Sequence, residues 1–433
     1  MTGGKSFLLW TYYYITCPML LHCCPRRRRR RLALPLLLLL ALYAWHLESR
    51  APPSPPSPLR RRASPRAPPA APAPPSALSA APPPATLVYV CLGDTHFQSY
   101  LLESIWQARI FNPASRVLLV ADEAWLGPAH PWVPALEEAR VERIPYARLA
   151  DNATAAFGEA YERLWDELGR RVGAMQPTLN HRTNMAFTQM TMLRLAALRR
   201  LVDTEGLTRV VHVENDQMLY GSIDALADAA DACGAALAMT RVGARMAPAV
   251  LYAASAPPLG AMLDFIEWAV RAGPDTAANI ARSTYATDMS LSAAFFDYQR
   301  EQGNGTLYAS LPGMGDGECI AAHSGMLYDA AGLGTWVAGD FYQPKSFFSV
   351  RLGESAVRYW ELPFEWRVEN GTAPAGAPAA GGAAERGWDG LRRPFVNGTL
   401  AFNMHIHSKQ LHLWSSRDRE MHKGMLAVAP ERN

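Results

Sequence analysis

Residues 210–221 read VVHVENDQMLYG and carry the most informative pattern in this chain of 433 residues. The valines predict a buried strand, and two carboxylates, Glu214 and Asp216, follow it directly. On an extended backbone, side chains two residues apart point to the same side. Two carboxylates at one strand end repel each other, and a bound cation removes that cost. Hard oxygen ligands suit Mn²⁺ or Mg²⁺, which also bridge phosphate oxygens. The alternative is a strand-to-turn junction whose acidic residues only face water.

Segments with strand character alternate with helical segments around this stretch. Strands are predicted over residues 86–92, 116–121, 141–145, 209–213 and 234–240, and helices near 97–108, 155–168 and 184–201. The alternation predicts the α/β class, with a mixed, mostly parallel sheet and helices on both faces. Because ligands bind beyond the carboxyl ends of such strands, Asp94 and Asp122 join Glu214 and Asp216 as candidate binding residues.

A second segment with chemical character lies near the C-terminus. Residues 401–407 predict a late strand, and residues 403–409 read NMHIHSK. As a strand, this segment places His405 and His407 on one face, where an imidazole would complete a metal site and Lys409 would meet a diphosphate. The alternative is a pair of partly buried histidines beside a solvated lysine.

These motifs together resemble the GT-A class of glycosyltransferases. In that class an acid-x-acid triplet at a strand end and a C-terminal histidine bind the metal that holds the nucleotide diphosphate. The sequence also resembles a looser set of glycosyltransferases predicted from sequence, with an E-N-D triplet, a segment similar to FDAAGLGTYLGG and a terminal H-I-H-S-K. The corresponding residues here are 214–216, 328–335 and 405–409. The resemblance spans residues 86–414.

The resemblance implies a GT-A-like domain that transfers a sugar from a nucleotide-sugar donor with the help of Mn²⁺ or Mg²⁺. Asp216 and Glu214 would ligate the metal together with His407, or with His405 in its place. Lys409 would neutralise the leaving diphosphate. Glu214 departs from the usual pattern, in which the first acid of the triplet is aspartate, so the ligand assignment is stronger for Asp216.

Further residues are candidates for contacts with the substrates. Asp288 opens a predicted amphipathic helix, and its carboxylate either faces the acceptor or caps that helix. Asp329 precedes two glycines, which allow a close backbone approach to a ligand or form a plain turn. Arg194 lies on the helix before the triplet and either meets phosphate or stays on the helix surface. We therefore predict Asp288 and Asp329 as catalytic, and Asp94, Arg194 and Lys409 as substrate-binding.

The N-terminal part predicts a membrane anchor. Residues 32–48 are mostly apolar and directly follow six arginines at 26–31. The positive-inside rule keeps residues 1–31 in the cytosol as a tail. A second apolar stretch at 7–24 has no role that the sequence assigns. A cleaved signal peptide is the alternative to a retained anchor.

Beyond the anchor, the composition predicts a stem, one folded domain and a tail. Residues 49–85 form the stem, since fourteen prolines lie between positions 52 and 84 and favour an extended, unfolded spacer. The catalytic domain is predicted over 86–415 and the tail over 416–433. Four N-x-S/T sequons, which agree with a lumenal location, follow the anchor: Asn152, Asn304, Asn370 and Asn397.

Charge and cysteine content exclude two function classes. The net charge is +3, and without the arginine clusters at 26–31 and 60–62 the chain is close to neutral or mildly acidic, which argues against nucleic-acid binding. No C-x-x-C pair is present, which argues against a structural zinc site. Cys91, Cys233 and Cys319 follow the stem and allow at most one disulfide with one free thiol.

Together these features predict a Golgi membrane protein of single-pass type II topology with a lumenal catalytic domain. Its activity would be glycosyl transfer to a glycan, glycoprotein or glycolipid acceptor. The alternative is a non-catalytic lumenal or surface glycoprotein that binds carbohydrate. That alternative explains the anchor, stem and sequons, but it does not require the E-N-D and H-I-H-S-K motifs to occur together.

Overall fold

The computed structural model of the chain describes residues 82–93, 98–173, 181–283, 286–313, 318–338, 361–369, 391–406, 409 and 411–416. The predicted cytosolic tail and anchor lie outside these residues, as do most of the stem and of the C-terminal tail. Asp94, His407 and Asn370 lie outside them too. Within the described part of the chain, no helix combines the length and the apolar character that crossing a membrane requires. The predicted domain boundaries stay predictions.

The described residues form thirteen strands: β1 Thr86–Cys91, β2 Arg116–Ala121, β3 Val141–Pro145, β4 Val210–Val213, β5 Gln217–Leu219, β6 Leu237–Val242, β7 Arg245–Ala253, β8 Tyr308–Leu311, β9 Met326–Leu327, β10 Phe364–Glu369, β11 Leu391–Val396, β12 Thr399–Ala401 and β13 Asn403–His405. Seven of them form a central sheet in the order β3-β2-β1-β4-β7-β6-β8. Among these seven, β7 alone runs against the others. The mixed, mostly parallel sheet predicted from the sequence is therefore confirmed.

Helices occupy much of the chain between the strands. Those in the described ranges are α1 Tyr100–Phe111, α2 Glu123–Leu126, α3 Val133–Glu138, α4 Asn152–Gly173, α5 His181–Thr204, α6 Ile223–Ala232, α7 Ala256–Arg271, α8 Pro274–Ala281, α9 Asp288–Glu301, α10 Glu318–Ser324 and α11 Gly332–Ala338. Short 3-10 helices cover Tyr146–Arg148 and Leu411–Trp414.

Strand β1 shows why helices cover both faces of the sheet. Its alternate side chains Leu87, Tyr89 and Cys91 pack with α1 and α6 on one face. Val88 and Val90 pack with α4, α5, α7 and α9 on the other face. A strand that is apolar at every position is stable only when both of its faces are buried, and full burial of a valine or leucine side chain contributes about 1.5–3 kcal/mol.

Two smaller sheets bring the C-terminal part of the chain to the end of β4. Strands β10, β11, β12 and β9 form one sheet, and β13 pairs antiparallel with β5 in the other. In that second pair, His405 lies opposite Gln217. Gly221 permits this packing, because a β-carbon there would lie 2.6 Å from the ring of Phe402. The late strand predicted over 401–407 is therefore shorter in the structure and adds to β5.

One disulfide joins Cys233, which follows α6, to Cys319 in α10, and Cys91 is a buried free thiol. The three cysteines after the stem therefore form the single bridge that is the most their number allows. A cross-link of this kind stabilises a fold by about 2–4 kcal/mol.

The remaining differences from the predicted elements have local causes. Strands β2 and β3 have the predicted bounds. Strand β6 begins three residues later than predicted, because Gly234 adopts φ 68° in the turn that follows α6. Strand β7 was not predicted from the sequence, although it is the longest strand of the central sheet.

The buried carboxyl group of Glu103 in α1 gives a pH-dependent contribution to stability. Burial raises the pKa of Glu103 from 4.5 to about 7. Between these two values the folded state holds a proton that the unfolded state releases, so rising pH destabilises the fold. Relative to Glu103→Gln, the free energy of unfolding of the wild-type protein should fall by about 2–3 kcal/mol between pH 4.5 and 7.

Urea unfolding of both proteins across this pH range measures the difference. Parallel stability curves for wild type and Glu103→Gln would show that Glu103 ionises without cost in the folded protein. His412 Nδ1 lies 3.9 Å from Glu103 Oε1, so His412→Gln separates the contribution of that neighbour.

Candidate metal centre

Two carboxylates and one imidazole converge just beyond the end of β4. Glu214, Asp216 and His405 each offer one ligand atom, and these atoms all lie within 4.8 Å of one another. His405 Nε2 lies 3.1 Å from Asp216 Oδ2 and 3.5 Å from Glu214 Oε2. Asp216 and His405 are buried. We call these three residues the metal centre, since two carboxylates and an imidazole are able to hold a divalent cation.

The backbone after β4 places the three side chains together. The amide of Glu214 donates to the carbonyl of Ala249 in β7 at 3.2 Å, which fixes the end of β4. A turn then closes with a hydrogen bond from the amide of Gln217 to the carbonyl of Glu214 at 3.2 Å. The amide of Ile406 donates to the carbonyl of Asp216 at 2.9 Å. The pairing of β13 with β5 thus continues to the metal centre and sets His405 beside Asp216.

The orientation of His405 is that of a metal-ligating histidine. Its Nδ1 lies 2.8 Å from the carbonyl oxygen of Ala330, which only accepts, so Nδ1 carries a proton. Its Nε2 faces Glu214 and Asp216. Burial by itself lowers the pKa of His405, but the two carboxylates outweigh burial and raise the pKa above its usual value. A second proton on the His405 imidazole, or a cation between Nε2 and the carboxylates, would balance the negative charge of Glu214 and Asp216.

Asp329 holds His405 in this position from behind. Its carboxylate accepts from the amides of Leu333 at 2.9 Å, Gly334 at 2.7 Å and His405 at 3.0 Å. The side chain is fully buried, and burial raises the pKa of its carboxyl group against these hydrogen bonds. The side chain of Asn403 exchanges two hydrogen bonds with the backbone of Asp329. The catalytic role predicted for Asp329 stays a prediction; its contacts are those of a residue that positions His405.

Arg194 connects the metal centre to α9. Its Nη2 lies 2.5 Å from Glu214 Oε1 and 3.7 Å from Asp288 Oδ2. Burial lowers the pKa of Arg194, but the carboxylates outweigh it and raise that pKa. Burial raises the pKa of Asp288 to about 6, which Arg194 partly opposes. Arg194 therefore faces the triplet instead of the helix surface, and its predicted phosphate contact stays a prediction.

The capping role considered for Asp288 is wrong. The N-cap of α9 is Thr287, whose hydroxyl accepts from the amide of Ser290 at 3.2 Å while the Ser290 hydroxyl accepts from the amide of Thr287 at 2.9 Å. Asp288 is the first residue of the helix, so its carboxylate is free to turn toward Arg194. Its predicted catalytic role is not tested by this arrangement.

Lys409 reaches the metal centre from the segment after β13. Its Nζ forms an ion pair with Asp216 Oδ2 and lies 5.3 Å from the centre of the Tyr100 ring. Its backbone adopts φ 59°, a conformation that non-glycine residues rarely take. The predicted contact of Lys409 with a diphosphate stays a prediction.

Several residues at the metal centre were not predicted from the sequence. Asn215, inside the triplet, donates from Nδ2 to Gln98 Oε1 at 2.9 Å. Asn403 donates to Gln217 Oε1 at 2.7 Å. Asp122, by contrast, was a candidate binding residue; it accepts from the amide of Gly93 at 2.7 Å and so holds the end of β1, and its predicted binding role stays a prediction. Asn403 is the first residue of the NMHIHSK segment, and this position is the sequence signal that could have identified it as a residue of the site.

Two residues predicted for the site, Asp94 and His407, lie outside the described residues, so the choice between His405 and His407 rests on the contacts of His405. Three predicted sequons, Asn152, Asn304 and Asn397, are exposed, as glycosylation requires. Their modification stays a prediction.

Comparison with known proteins gives little support for any one family. No protein-family model matches the chain, and no curated protein matches its sequence. Among solved structures, PaToxG glycosyltransferase aligns with a TM-score of 0.32 and 11% sequence identity, over 50% of this chain and 70% of that chain. A likeness of this extent establishes no function, so the functional conclusion depends on the site itself.

Gly334 allows the close approach of α11 to β13. A β-carbon at this position would overlap the carbonyl oxygen of His405. Gly334→Ala should therefore displace His405 and lower Mn²⁺ affinity about 10- to 100-fold, with a loss of stability of about 1–3 kcal/mol. Calorimetric titration of the full-length chain with Mn²⁺ measures the first effect, and urea unfolding measures the second.

The matched control is Gly127→Ala, where a β-carbon meets nothing within 4 Å and the backbone φ is −62°. It should leave both quantities unchanged. A folded Gly334→Ala protein that binds Mn²⁺ with wild-type affinity would show that His405 is not a ligand.

Proposed function

We propose that the chain is a metal-dependent glycosyltransferase with a GT-A-like domain, which takes its sugar from a nucleotide-sugar donor. The observation that carries the proposal is the meeting of the E-N-D and H-I-H-S-K motifs in space. Glu214 and Asp216 lie at the end of a sheet strand with His405 and Lys409 beside them. Two separate sequence motifs thus contribute to a single site, at the sheet edge where ligands of α/β proteins bind.

The charges at this site suit a diphosphate. A divalent cation held by Glu214, Asp216 and His405 would stabilise the negative charge that develops as the nucleoside diphosphate leaves the sugar. Lys409 adds a positive charge at the same edge, on a side chain that keeps 30% of its surface exposed. Arg194 offsets the charge of Glu214 from the buried side, which holds the carboxylate toward the cation position.

The donor set favours Mn²⁺ over Mg²⁺. Carboxylates bind both ions, but Mg²⁺ demands oxygen ligands in near-ideal octahedral geometry. An imidazole such as His405 binds more readily to ions later in the first transition row. We therefore propose Mn²⁺ as the preferred cofactor and Mg²⁺ as a weaker substitute.

The proposed location is the Golgi lumen, with the chain anchored by residues 32–48 in type II topology. The arginine run at 26–31, the proline-rich stem and the exposed sequons support it. The acceptor in this compartment would be a glycan or glycoconjugate.

Asp216→Asn tests the proposal, because it removes a ligand charge at constant size. In wild-type protein, a nucleoside diphosphate with Mn²⁺ should raise the melting temperature, and each alone should raise it less. At 100 times the Kd, bound ligand contributes about 2.7 kcal/mol. Asp216→Asn should lose most of this shift and all sugar transfer from the matching nucleotide-sugar. Differential scanning fluorimetry with several nucleoside diphosphates, followed by a product assay, provides the measurement.

Asp264→Asn is the control variant, since Asp264 is an exposed aspartate of α7 that pairs with Arg199. It should match the wild type in both assays. Nucleotide binding that ignores Mn²⁺, or full transfer by Asp216→Asn, would contradict a metal-assisted reaction. A folded protein that binds no nucleotide at all would favour the carbohydrate-binding glycoprotein instead.

A further inference from the structure

A large cleft lies between the β6–β7 turn and helices α7, α8 and α9. Its volume is about 910 Å³, which is the size of a pocket for a sizeable ligand. Phe265 and Trp268 of α7, Tyr298 of α9 and Arg245 of β7 are among the residues that line it. We call this space the aromatic cleft. The roles proposed above for the residues of the metal centre do not involve this cleft.

Three aromatic rings form one wall of the cleft. The rings of Phe265 and Tyr298 are nearly parallel, at 24° with centroids 5.9 Å apart, and Trp268 lies 5.7 Å from Phe265. Phe265 also packs on the buried ring of Phe295, which fixes the group to the core. Trp268 and Tyr298 nevertheless expose 54% and 46% of their surface. Clustered exposed aromatic surface marks a binding site, and flat rings with a polar edge suit the apolar faces of sugar rings.

The lining of the cleft carries a small excess of positive charge, since it holds three arginines, Arg241, Arg245 and Arg282, and two carboxylates, Asp297 and Glu301. Asp297 is shared by Arg241 at 3.4 Å, Arg282 at 3.9 Å and Arg300 at 3.1 Å. Arg245 also lines the cleft, and among the described residues no carboxylate lies within ion-pair distance of it. The two carboxylates of the lining do not balance its three guanidinium groups, so the cleft attracts an anionic ligand. Guanidinium groups bind carboxylates and sulfates with two parallel hydrogen bonds.

Helix α9 and strand β7 both run from the metal centre to the cleft. Asp288, the first residue of α9, faces Arg194, which contacts Glu214 of the metal centre. Asp297 lies nine residues further along the same helix, about 13 Å away. Ala249 of β7 accepts the amide of Glu214, and Arg245 lies four residues before it on the same strand. A ligand bound in the cleft would therefore have to extend about 13 Å along α9 to place one end at the metal centre.

We propose that the aromatic cleft binds an anionic glycan, a sugar chain that carries carboxylate or sulfate groups, as the acceptor of the reaction. The proposal rests on the proposed glycosyltransferase function. An acceptor hydroxyl would attack the anomeric carbon of the donor as the bond from that carbon to the phosphate oxygen breaks. The diphosphate leaves with the electron pair, and the hydroxyl proton passes to a base or to water. The aromatic rings would hold the sugar faces, and Arg245 would bind an acidic group.

Binding of defined hexasaccharides to the full-length chain tests this proposal separately from catalysis. The probes are a hexagalacturonate, a sulfated hexasaccharide from heparin and the neutral maltohexaose, and calorimetric titration measures their affinity. At least one anionic probe should bind at least tenfold more tightly than maltohexaose. Trp268→Ala and Arg245→Ala should each weaken that probe about tenfold or more, and the stronger anionic probe identifies the acidic group.

The matched controls are Val368→Ala, which removes an equally exposed apolar side chain on β10, and Arg163→Ala, which removes an exposed arginine on α4. Both should bind the anionic probe as the wild type does. Equal affinity for maltohexaose would overturn the anionic class, and equal affinity for hexaglutamate would overturn the sugar class. Binding that ignores both cleft substitutions, or no binding of any probe, would overturn the cleft as the site.

The two proposals fail in different ways. Asp216→Asn should keep the hexasaccharide affinity while it loses the stabilisation by nucleotide and Mn²⁺. Trp268→Ala should show the reverse pattern. Hexasaccharide binding at the cleft without any nucleotide binding would leave a glycan-binding surface and remove the transferase; nucleotide binding without hexasaccharide binding would do the opposite.

Discussion

The placement of a buried carboxylate, Asp216, and a half-buried one, Glu214, beyond the end of β4 is the constraint on which the functional part of this molecule depends. A buried anion is stable only when opposite charge or hydrogen-bond donors surround it. The fold meets this requirement with groups from three directions: Arg194 contacts Glu214, while His405 and Lys409 contact Asp216. Each of these contacts also holds a segment of the chain in place. The same residues therefore balance the charge of the site and pack the segments around it.

That charge balance explains why the C-terminal part of the chain folds back onto the triplet. Lys409 and Asp216 are 193 positions apart, and closing so long a loop has an entropic cost that favourable contacts must exceed. The β13–β5 pairing and the buried Asp329 network supply those contacts. Asp329 bonds to the start of α11 and to β13 with one carboxylate. Asp329, from the second motif of the resemblance (residues 328–335), thus holds His405 of the third motif (residues 405–409) in place.

The sequence predicted the elements whose signal is local and left open those that depend on distant neighbours. Strands β2 and β3 were predicted at their bounds, because runs of buried apolar residues are a local pattern. In a strand over 401–407, His405 and His407 would share one face, so the sequence does not choose between them. The contact of His405 Nδ1 with the carbonyl of Ala330 is what orients His405 in the structure. Thr287 and Asp288 are both good capping residues, and only the hydrogen bonds between Thr287 and Ser290 identify Thr287 as the cap. Asp288 instead faces Arg194.

The antiparallel direction of β7 determines what lies beyond the end of β4. A parallel strand beside β4 would end at the same edge as β4. Val213, the last residue of β4, pairs with Val250 of β7. The first five residues of the antiparallel β7, from Arg245 onward, therefore lie beyond that edge. The β6–β7 turn therefore lies beyond the end of β4 and forms a wall of the aromatic cleft. A purely parallel sheet would leave this side open, and the same reversal aligns the amide of Glu214 with Ala249. One change of strand direction thus fixes the backbone at Glu214, a candidate metal ligand, and forms part of the cleft.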